Sequence, residues 1–484
     1  MSLFNLKIKG LKIFILLLPV LGLFACKKDF LDNQAELSIP ESRVFETPAR
    51  ILAQVNGLYS SAKIGSLFGG RYQIYNDIRS GEFRNRTSNV VTGFGVYQFT
   101  NDPSDTYIEG FWINGYLTIN RVNKFLADFE LAKNQGIVSD QLKSQYIAEA
   151  KFVRAYCYYA LVQMFAKPYT QDAGASRGLP LRLKAQTDSA DNNLKSGTVA
   201  QVYAQILKDL NEAEVALPAS YSTSVLNTTR AHKNTVAAFK SRVYLAMGKF
   251  PDVITEANKI VSATAPFRAA TGVNHTLNAD VTKVYGNGAA ELENVFSAPM
   301  SATNAPGTQN QLGYYYNAGN IEYFLNQGAT GIYNNPAWPA SDLRKSKFVL
   351  QYSAAWHILV KYSNVSPFTD WVPLIRYSEV LLNLAEAEAE AGSLTRAEEL
   401  VKAVRQRSDP SYTMPAFTTK AIAIQNILLE RRIELLGEGF NAPDIQRRLQ
   451  PFVSVGAGAS IPYTDSRYVF PIPTSEKLTN KIVE

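Results

Sequence analysis

The chain has 484 residues, 46% of them hydrophobic and 19% charged, which is typical of a globular protein and argues against a disordered or fibrous chain. Two cysteines and three histidines leave little material for a disulfide framework or a metal site. The net charge is +7, yet lysines and arginines do not cluster with aromatic residues as they do in nucleic-acid-binding proteins. We therefore expect no metal, no cofactor and no nucleic-acid partner.

The N-terminus has the pattern of an export signal. Basic residues precede an apolar run over residues 13–25, which is too short to span a bilayer as a helix. The run ends directly before Cys26, so the sequence resembles a lipobox, in which the cysteine is acylated after residues 1–25 are removed. A plain signal peptide with an incidental cysteine is the alternative. Residues 26–40 are polar and are predicted to form a lipidated, flexible tether.

The rest of the chain, residues 41–484, is predicted to form a single, mainly helical domain. Apolar residues recur every three or four positions in five segments, as they do on the buried face of an α-helix. Two other stretches, residues 66–105 and 299–340, are rich in glycine, asparagine and aromatic residues without a sustained period, and we predict irregular loops there. The five predicted helices are residues 47–61, 111–131, 145–165, 198–217 and 418–437.

Two segments, residues 237–261 and 380–404, resemble each other. Aligned on the glycine between two predicted helices, both place an apolar residue two positions later and small or apolar residues where the helices would cross. This pattern is typical of tetratricopeptide-like helical hairpins, which we predict near residues 198–261 and 377–405. A free-standing repeat array needs roughly three copies, so other helices must complete the stack.

Five sequence blocks stand out along the chain and together span most of it after the N-terminal signal. In order, they are residues 148–169 (AEAKFVRAYCYYALVQMFAKPY), 178–181 (GLPL), 371–390 (WVPLIRYSEVLLNLAEAEAE), 430–448 (ERRIELLGEGFNAPDIQRR) and 470–473 (FPIP). In these blocks the chain resembles the SusD/RagB family of nutrient-binding outer-membrane lipoproteins.

The resemblance implies a mainly α fold, with tetratricopeptide-like hairpins as a scaffold and an irregular, loop-rich half. It also implies a lipid-anchored protein of the outer membrane that faces the cell exterior. Such a protein acts as a lid on a TonB-dependent transporter of the SusC type. The ligand implied is an oligomeric nutrient, either a glycan or, as in RagB-like members, a peptide.

No motif in the chain indicates catalysis. The three histidines are far apart, and the sequence contains neither a nucleophile elbow nor a phosphate-binding loop. We therefore expect no catalytic residue, and we interpret Cys157, which lies in an apolar helical stripe, as a buried and inert thiol. Two alternatives remain: a scaffold that binds only other proteins, and an extracellular glycosidase, whose carboxylate pair would be set by the fold and not by sequence spacing.

Glu430, Glu434 and Glu438 lie four residues apart on one predicted helix face. A charged ligand site is one interpretation. We favour a network of ion pairs that fixes the helix against the rest of the domain, and we interpret Glu149 and Arg154 in the same way.

We expect the ligand to bind at the two irregular stretches, on one shallow surface away from the hairpins. Sugar rings present apolar C–H faces and rims of hydroxyl groups, which suit aromatic rings next to Asn, Asp or Arg. Core packing is the alternative for each single aromatic side chain, and it is our interpretation of Trp112 and Trp371. The candidate ligand-binding residues are Tyr72, Tyr75, Asn76, Asp77, Arg79, Arg84, Tyr314, Tyr315, Tyr316 and Trp338.

Overall fold

The computed structural model of the protein describes residues 43–131, 136–286, 292–453 and 455–484. The predicted signal, Cys26 and the tether lie outside these residues. The chain divides into a unit that ends at Ala53 and a unit that runs from Gln54 to Glu484. In the described part of the first unit, Arg43 donates a hydrogen bond to Glu46 at 2.8 Å. The site and the contacts described below belong to the second unit.

Helices make up 48% of the described residues and strands 9%, so the fold is mainly α, as the sequence predicted. No helix within the described ranges is long and apolar enough to cross a membrane. The helices are α1 (Pro48–Ala62), α2 (Arg71–Arg79), α3 (Phe94–Gln98), α4 (Thr106–Leu131), α5 (Asp140–Phe165), α6 (Val199–Ala216), α7 (Ser224–Thr229), α8 (Lys233–Ala246), α9 (Phe250–Ala257), α10 (Leu312–Tyr316), α11 (Leu343–Phe348), α12 (Tyr377–Ala391), α13 (Leu394–Ser408), α14 (Lys420–Glu434), α15 (Asn441–Arg447) and α16 (Thr474–Thr479).

The strands are short and pair in twos, always antiparallel: the partners are the first and fifth, second and third, fourth and eighth, sixth and seventh, and ninth and tenth. Several of these pairs join segments that are far apart in sequence. The strands are β1 (Phe83–Asn85), β2 (Arg177–Pro180), β3 (Ser196–Thr198), β4 (Asn294–Ala298), β5 (Tyr323–Leu325), β6 (Val349–Gln351), β7 (His357–Leu359), β8 (Val372–Arg376), β9 (Phe452–Val453) and β10 (Ser460–Ile461).

The predicted signals at helix ends are present in the structure. α6 begins at a capping box, in which Thr198 Oγ1 accepts a hydrogen bond from the Gln201 amide at 3.2 Å and Gln201 Oε1 accepts one from the Thr198 amide at 2.8 Å. α5 ends at Phe165, shortly before Pro168, which cannot continue a helix. Cys157 lies fully buried on α5, and burial raises its pKa, in agreement with an inert thiol.

The two predicted repeats form helical hairpins that pack together. The first consists of α8 and α9, and the second of α12 and α13. Leu245, Val253 and Ala387, from three of these helices, form one buried cluster. Gly248 turns the first hairpin with φ +68°, a conformation that glycine adopts without strain.

Behind α14, five acidic and five basic side chains of the described residues form a buried ion-pair network. All are at most 5% exposed, and the charges balance. Glu430, Glu434 and Glu438 are among the acids, so the interpretation of these residues as an ion-pair network is confirmed. The members are Glu293, Asp342, Glu430, Glu434 and Glu438 with Arg344, Lys361, Arg376, Arg405 and Arg407.

Glu149 and Arg154 on α5 are also structural, as the sequence indicated. Glu149 pairs with Arg230 at 2.7 Å, and Arg154 pairs with Asp209 at 2.7 Å. Both carboxylates are almost completely buried, and removal of either partner would leave a buried charge unpaired.

Candidate functional site

The first predicted ligand-binding stretch folds as α2, whose nine residues are all buried. Tyr72, Tyr75, Asn76, Asp77 and Arg79 lie on this helix. Both faces of α2 pack against protein, so its sequence lacks the apolar–polar alternation that marks a surface helix. The prediction of an irregular loop is therefore wrong for these residues.

The charged groups of α2 bind other parts of the fold. Asp77 accepts hydrogen bonds from the Tyr316 hydroxyl and the Gly439 amide, both at 3.0 Å. Burial raises the pKa of Asp77, and the two hydrogen bonds oppose that rise. Arg79 donates to the Tyr468 carbonyl at 2.6 Å, and burial lowers its pKa to about 10. These groups join α2 to distant segments and are not available at the surface.

The tyrosines of α2 are equally enclosed. Tyr72 donates its hydroxyl to Gln163, and its carbonyl accepts from Asn76 Nδ2 at 3.0 Å. Tyr75 is fully buried, edge-on to Phe470 at 6.1 Å between ring centres, and burial raises its pKa to about 12.

The second predicted stretch is also largely internal. Tyr315 and Tyr316 on α10 are fully buried, and Trp338 is 2% exposed. Tyr314 is half-buried, with its ring 5.7 Å from that of Phe368.

The two stretches do meet, but their aromatic side chains do not form the expected shallow surface. They meet where β1 pairs with β5 and where Tyr316 contacts Asp77, in the interior. Eight of the ten candidate residues are buried. Arg84 is exposed and Tyr314 is half-buried, and ligand contact by these two remains a prediction.

A different surface forms on the outer side of the same strand pair. Arg84 lies directly opposite Phe324 in the β1–β5 ladder. Side chains alternate along a strand, so Phe83 and Tyr323 point into the core while Arg84 and Phe324 lie on the outer face. Phe324 is half-buried and provides the first ring of this surface.

The β6–β7 hairpin adds two more rings. Its turn is held by Ser353, whose hydroxyl accepts a hydrogen bond from the Trp356 amide at 3.1 Å, and by a bond from the Tyr352 amide to the Trp356 carbonyl at 3.0 Å. Tyr352 is 49% exposed and Trp356 is half-buried. Their ring planes are 9° apart, and the Phe324 ring centre lies 5.8 Å from that of Trp356. We name Phe324, Tyr352 and Trp356 the aromatic platform.

Two arginines border the aromatic platform. The Arg86 guanidinium lies 5.8 Å from the Trp356 ring centre and donates to the carbonyls of Ile321 (2.6 Å) and Asn320 (2.9 Å). Arg84 donates from Nε to Asn326 Oδ1 at 3.1 Å. The carbonyl and amide partners fix the direction of both guanidinium groups, while each arginine remains exposed.

A second group of side chains surrounds His357, the first residue of β7. The His357 ring centre lies 4.4 Å from that of Tyr333, and Lys345 Nζ lies 4.8 Å from the Tyr333 ring. His357 Nδ1 lies 3.0 Å from Gln327 Oε1. Burial and then the Lys345 charge lower the pKa of His357.

The surface therefore combines flat apolar rings with oriented hydrogen-bond donors. This is the chemistry needed to hold a sugar ring, with its C–H face on an aromatic side chain and its oxygens at polar groups. Among the described residues, no group of three or more His, Cys, Asp or Glu side chains could hold a metal ion. Trp356 was not among the sequence-predicted residues, since nothing in its neighbourhood of alanines and serines distinguishes a platform from a core position.

Two cavities elsewhere are large enough for a small molecule. One, of about 430 Å³, is lined by Phe68, Phe152 and Phe296, with Lys63 donating to the Pro299 carbonyl at 2.6 Å. Its walls are mostly apolar and match sugar hydroxyls poorly. The other, of about 670 Å³, is a groove of mixed polar and apolar lining between α14, α15 and the loops beside them.

Comparison with known proteins identifies the family of this chain. Residues 29–245 match a family model described as starch-binding and associating with the outer membrane, and residues 347–481 match the SusD family model. A crystal structure of a SusD superfamily protein from Bacteroides fragilis is 32% identical with a TM-score of 0.83, over 91% of this chain and all of that one. The chain belongs to the SusD family.

Two further proteins are similar to this chain. A SusD-like protein of Formosa agariphila, P2, is 28% identical over 258 residues, which are 52% of this chain and 46% of that protein. The match thus spans about half the length of that relative. A laminarin-binding SusD-like protein is 20% identical with a TM-score of 0.70, over 90% of this chain and 98% of that one, and it shows the shared fold.

Proposed function

We propose that the protein captures an oligosaccharide on the aromatic platform. The observation that carries this proposal is the arrangement of Phe324, Tyr352 and Trp356 around the β6–β7 turn, with Arg86 beside the Trp356 ring. Membership of a carbohydrate-binding family supports it, as does the structural neighbour that binds laminarin.

The platform suits a sugar better than the buried tyrosines do. Tyr352 and Trp356 expose ring surface without ligand, so binding would not require the core to open. A stacking contact of this kind contributes about 0.5–1.5 kcal/mol beyond the burial of area, and several contacts along an oligomer add affinity. A few stacking contacts with weak polar anchors give an affinity that allows release to a second protein.

We further propose that the protein is acylated at Cys26, faces the cell exterior and passes its ligand to a TonB-dependent transporter of the SusC type. The lipobox-like sequence at Cys26 supports the anchor, and the description of the family as associating with the outer membrane supports the location. A lid on a transporter would need an interface that is stable at one edge and separable at the other.

The proposal is tested by electrophoresis of the native protein through gels that contain single polysaccharides, laminarin and starch among them, and by calorimetry against a peptide digest. At least one polysaccharide should slow the wild-type protein. The Trp356→Ala variant should migrate as it does without polysaccharide. Trp371→Ala, which removes a half-buried tryptophan outside the platform, is the matched control and should still be slowed. Binding of the peptide digest with no response to any polysaccharide would contradict glycan capture and favour a peptide ligand.

A further inference from the structure

The cations beside the aromatic platform have only neutral hydrogen-bond partners. Within the described part of the chain, Arg84 donates to an amide oxygen and Arg86 donates to two carbonyl oxygens, and neither forms an ion pair. The positive charge at this surface is therefore not matched by acidic side chains.

This differs from the interior of the same domain. In the network behind α14, Arg376 pairs with three carboxylates and Arg344 with three. Cations there are balanced in number by acids, whereas at the platform the guanidinium groups are oriented by neutral atoms and keep N–H groups free for a ligand. Arginine presents those groups in a planar fork that fits a carboxylate or a sulfate.

Two acidic side chains border this segment, Glu82 close to it in sequence and Glu322 through the pairing of the strands, and both are already occupied. Glu322 is buried and accepts hydrogen bonds from Thr92 (2.8 Å), Asn320 (2.6 Å) and Thr87. Glu82 is buried and binds Arg432 at 2.6 Å. Neither carboxylate is free to accept a hydrogen bond from a sugar hydroxyl, so the platform is poor in acceptors and rich in donors.

The spacing of the two arginines fits a repeating ligand. Arg84 and Arg86 are two residues apart in an extended segment, whose pairing continues past β1 through the bond from the Arg86 amide to the Glu322 carbonyl at 2.9 Å. Alternate residues of a strand lie on the same face about 7 Å apart. When a sugar ring lies on Trp356, the arginines can reach two charges on neighbouring sugar units. They can also share one charge between them.

We infer that the ligand is an anionic oligosaccharide, bearing carboxylate or sulfate groups, which stacks a sugar ring on the aromatic platform and places its charges at Arg84 and Arg86. The inference rests on the proposed function, since it names the substrate class of the same site. The two anionic groups share the chemistry that the arginines recognise, and the experiment below separates them.

The test is calorimetry with matched pairs of oligosaccharides that differ only in charge. One pair is oligogalacturonate and its methyl ester, and the other is a sulfated carrageenan oligosaccharide and its desulfated form. The acidic member of at least one pair should bind about tenfold more tightly at low salt, and the pair that shows the difference identifies carboxylate or sulfate. The difference should shrink at high salt, because exposed charges are screened.

Arg84→Gln and Arg86→Gln should each reduce the preference for the acidic member while leaving the affinity for the neutral member nearly unchanged. Arg467→Gln, which removes an exposed arginine paired with Asp465, is the matched control and should change neither. If both members of each pair bind with equal affinity and Trp356→Ala lowers both affinities, the inference of an anionic ligand is wrong. The proposed function is not contradicted by that result. Binding of oligosaccharide that does not depend on Trp356 would overturn the proposed function and this inference with it.

Discussion

The Arg376 guanidinium lies 2.8 Å from the Glu434 carboxylate, and neither side chain is more than 1% exposed. Burial alone would raise the pKa of Glu434, but Arg407, Arg376 and Arg344 hold it well below its usual value. Replacing Arg376 by Met leaves buried carboxylates unpaired and should lower the free energy of unfolding by about 3–5 kcal/mol. Urea unfolding followed by circular dichroism measures the change.

The control for this variant is Arg467→Met, which removes an exposed ion pair with Asp465. It should cost less than about 1 kcal/mol. Equal losses for the two variants would show that the buried network contributes no more than a surface pair.

The stability of the protein should be sensitive to acid because of two buried histidines, His232 and His275. Their rings stack 5.3 Å apart in the interior, and burial lowers their pKa values to about 3 and about 4, with the charge of His275 adding to the effect on His232. Both values lie below the ordinary 6.5, so between pH 6.5 and 4 the unfolded chain binds protons that the folded chain does not. The two neutral histidines contribute their full stabilisation above pH 6.5. As the pH falls below 6.5, the free energy of unfolding should decrease by up to about 1.4 kcal/mol per pH unit for each histidine.

Denaturant unfolding at pH 7, 6 and 5 checks the histidine prediction. His275→Gln should flatten the pH dependence relative to wild type, and the comparison cancels groups that titrate in both proteins. An unchanged slope would mean that the pKa of His275 is the same in the folded and the unfolded chain, and would contradict the prediction.

Tyr315 tests the difference between a core residue and a ligand contact. It is fully buried, and its hydroxyl donates to the Gln309 carbonyl at 3.0 Å. Tyr315→Ala should lower stability by about 3–5 kcal/mol, as large-to-small changes in a core do. Differential scanning calorimetry should show a lower Tm for this variant. If the variant keeps its Tm but loses glycan binding, Tyr315 is a ligand contact and not a core residue.

The helices differ in how well they could be predicted from the sequence. α6 has one buried face and a clear start signal in the Thr198 capping box, so periodicity identified it. The hairpins were identified from the likeness between their two sequences, although α8 and α12 are buried on nearly every side. The spacing of Glu430, Glu434 and Glu438 likewise indicated a network, although its basic partners come from four other segments. α2 was missed because it is buried on every side.

The platform could not be predicted for a different reason. It exists because β1 pairs with β5, about 240 residues apart in sequence, and because the turn at Ser353 brings Tyr352 beside Trp356. Neither contact leaves a periodic signal in the chain. Arg84, the one exposed candidate from the sequence, lies beside the proposed platform, and its contact with a ligand stays a prediction. Most of the aromatic residues chosen with it are core: Tyr72, Tyr75, Tyr315, Tyr316 and Trp338.

The lipid anchor is a separate prediction. Mass spectrometry of the mature protein from membranes should find an N-terminal Cys26 that carries acyl chains, since one chain alone gives only marginal binding to a bilayer. Cys26→Ser should shift the protein to the soluble fraction. An unmodified N-terminus, or a serine variant that stays in the membrane fraction, would contradict acylation.

The central claim is that Trp356 forms the ligand platform, and calorimetry of wild type and Trp356→Ala with the best-binding oligosaccharide tests it most directly. The account predicts a loss of affinity of about tenfold or more for Trp356→Ala, because a stacked ring is removed, with a Tm close to that of wild type because the ring is only half-buried. Wild-type affinity in the Trp356→Ala variant, with the fold intact, would contradict it.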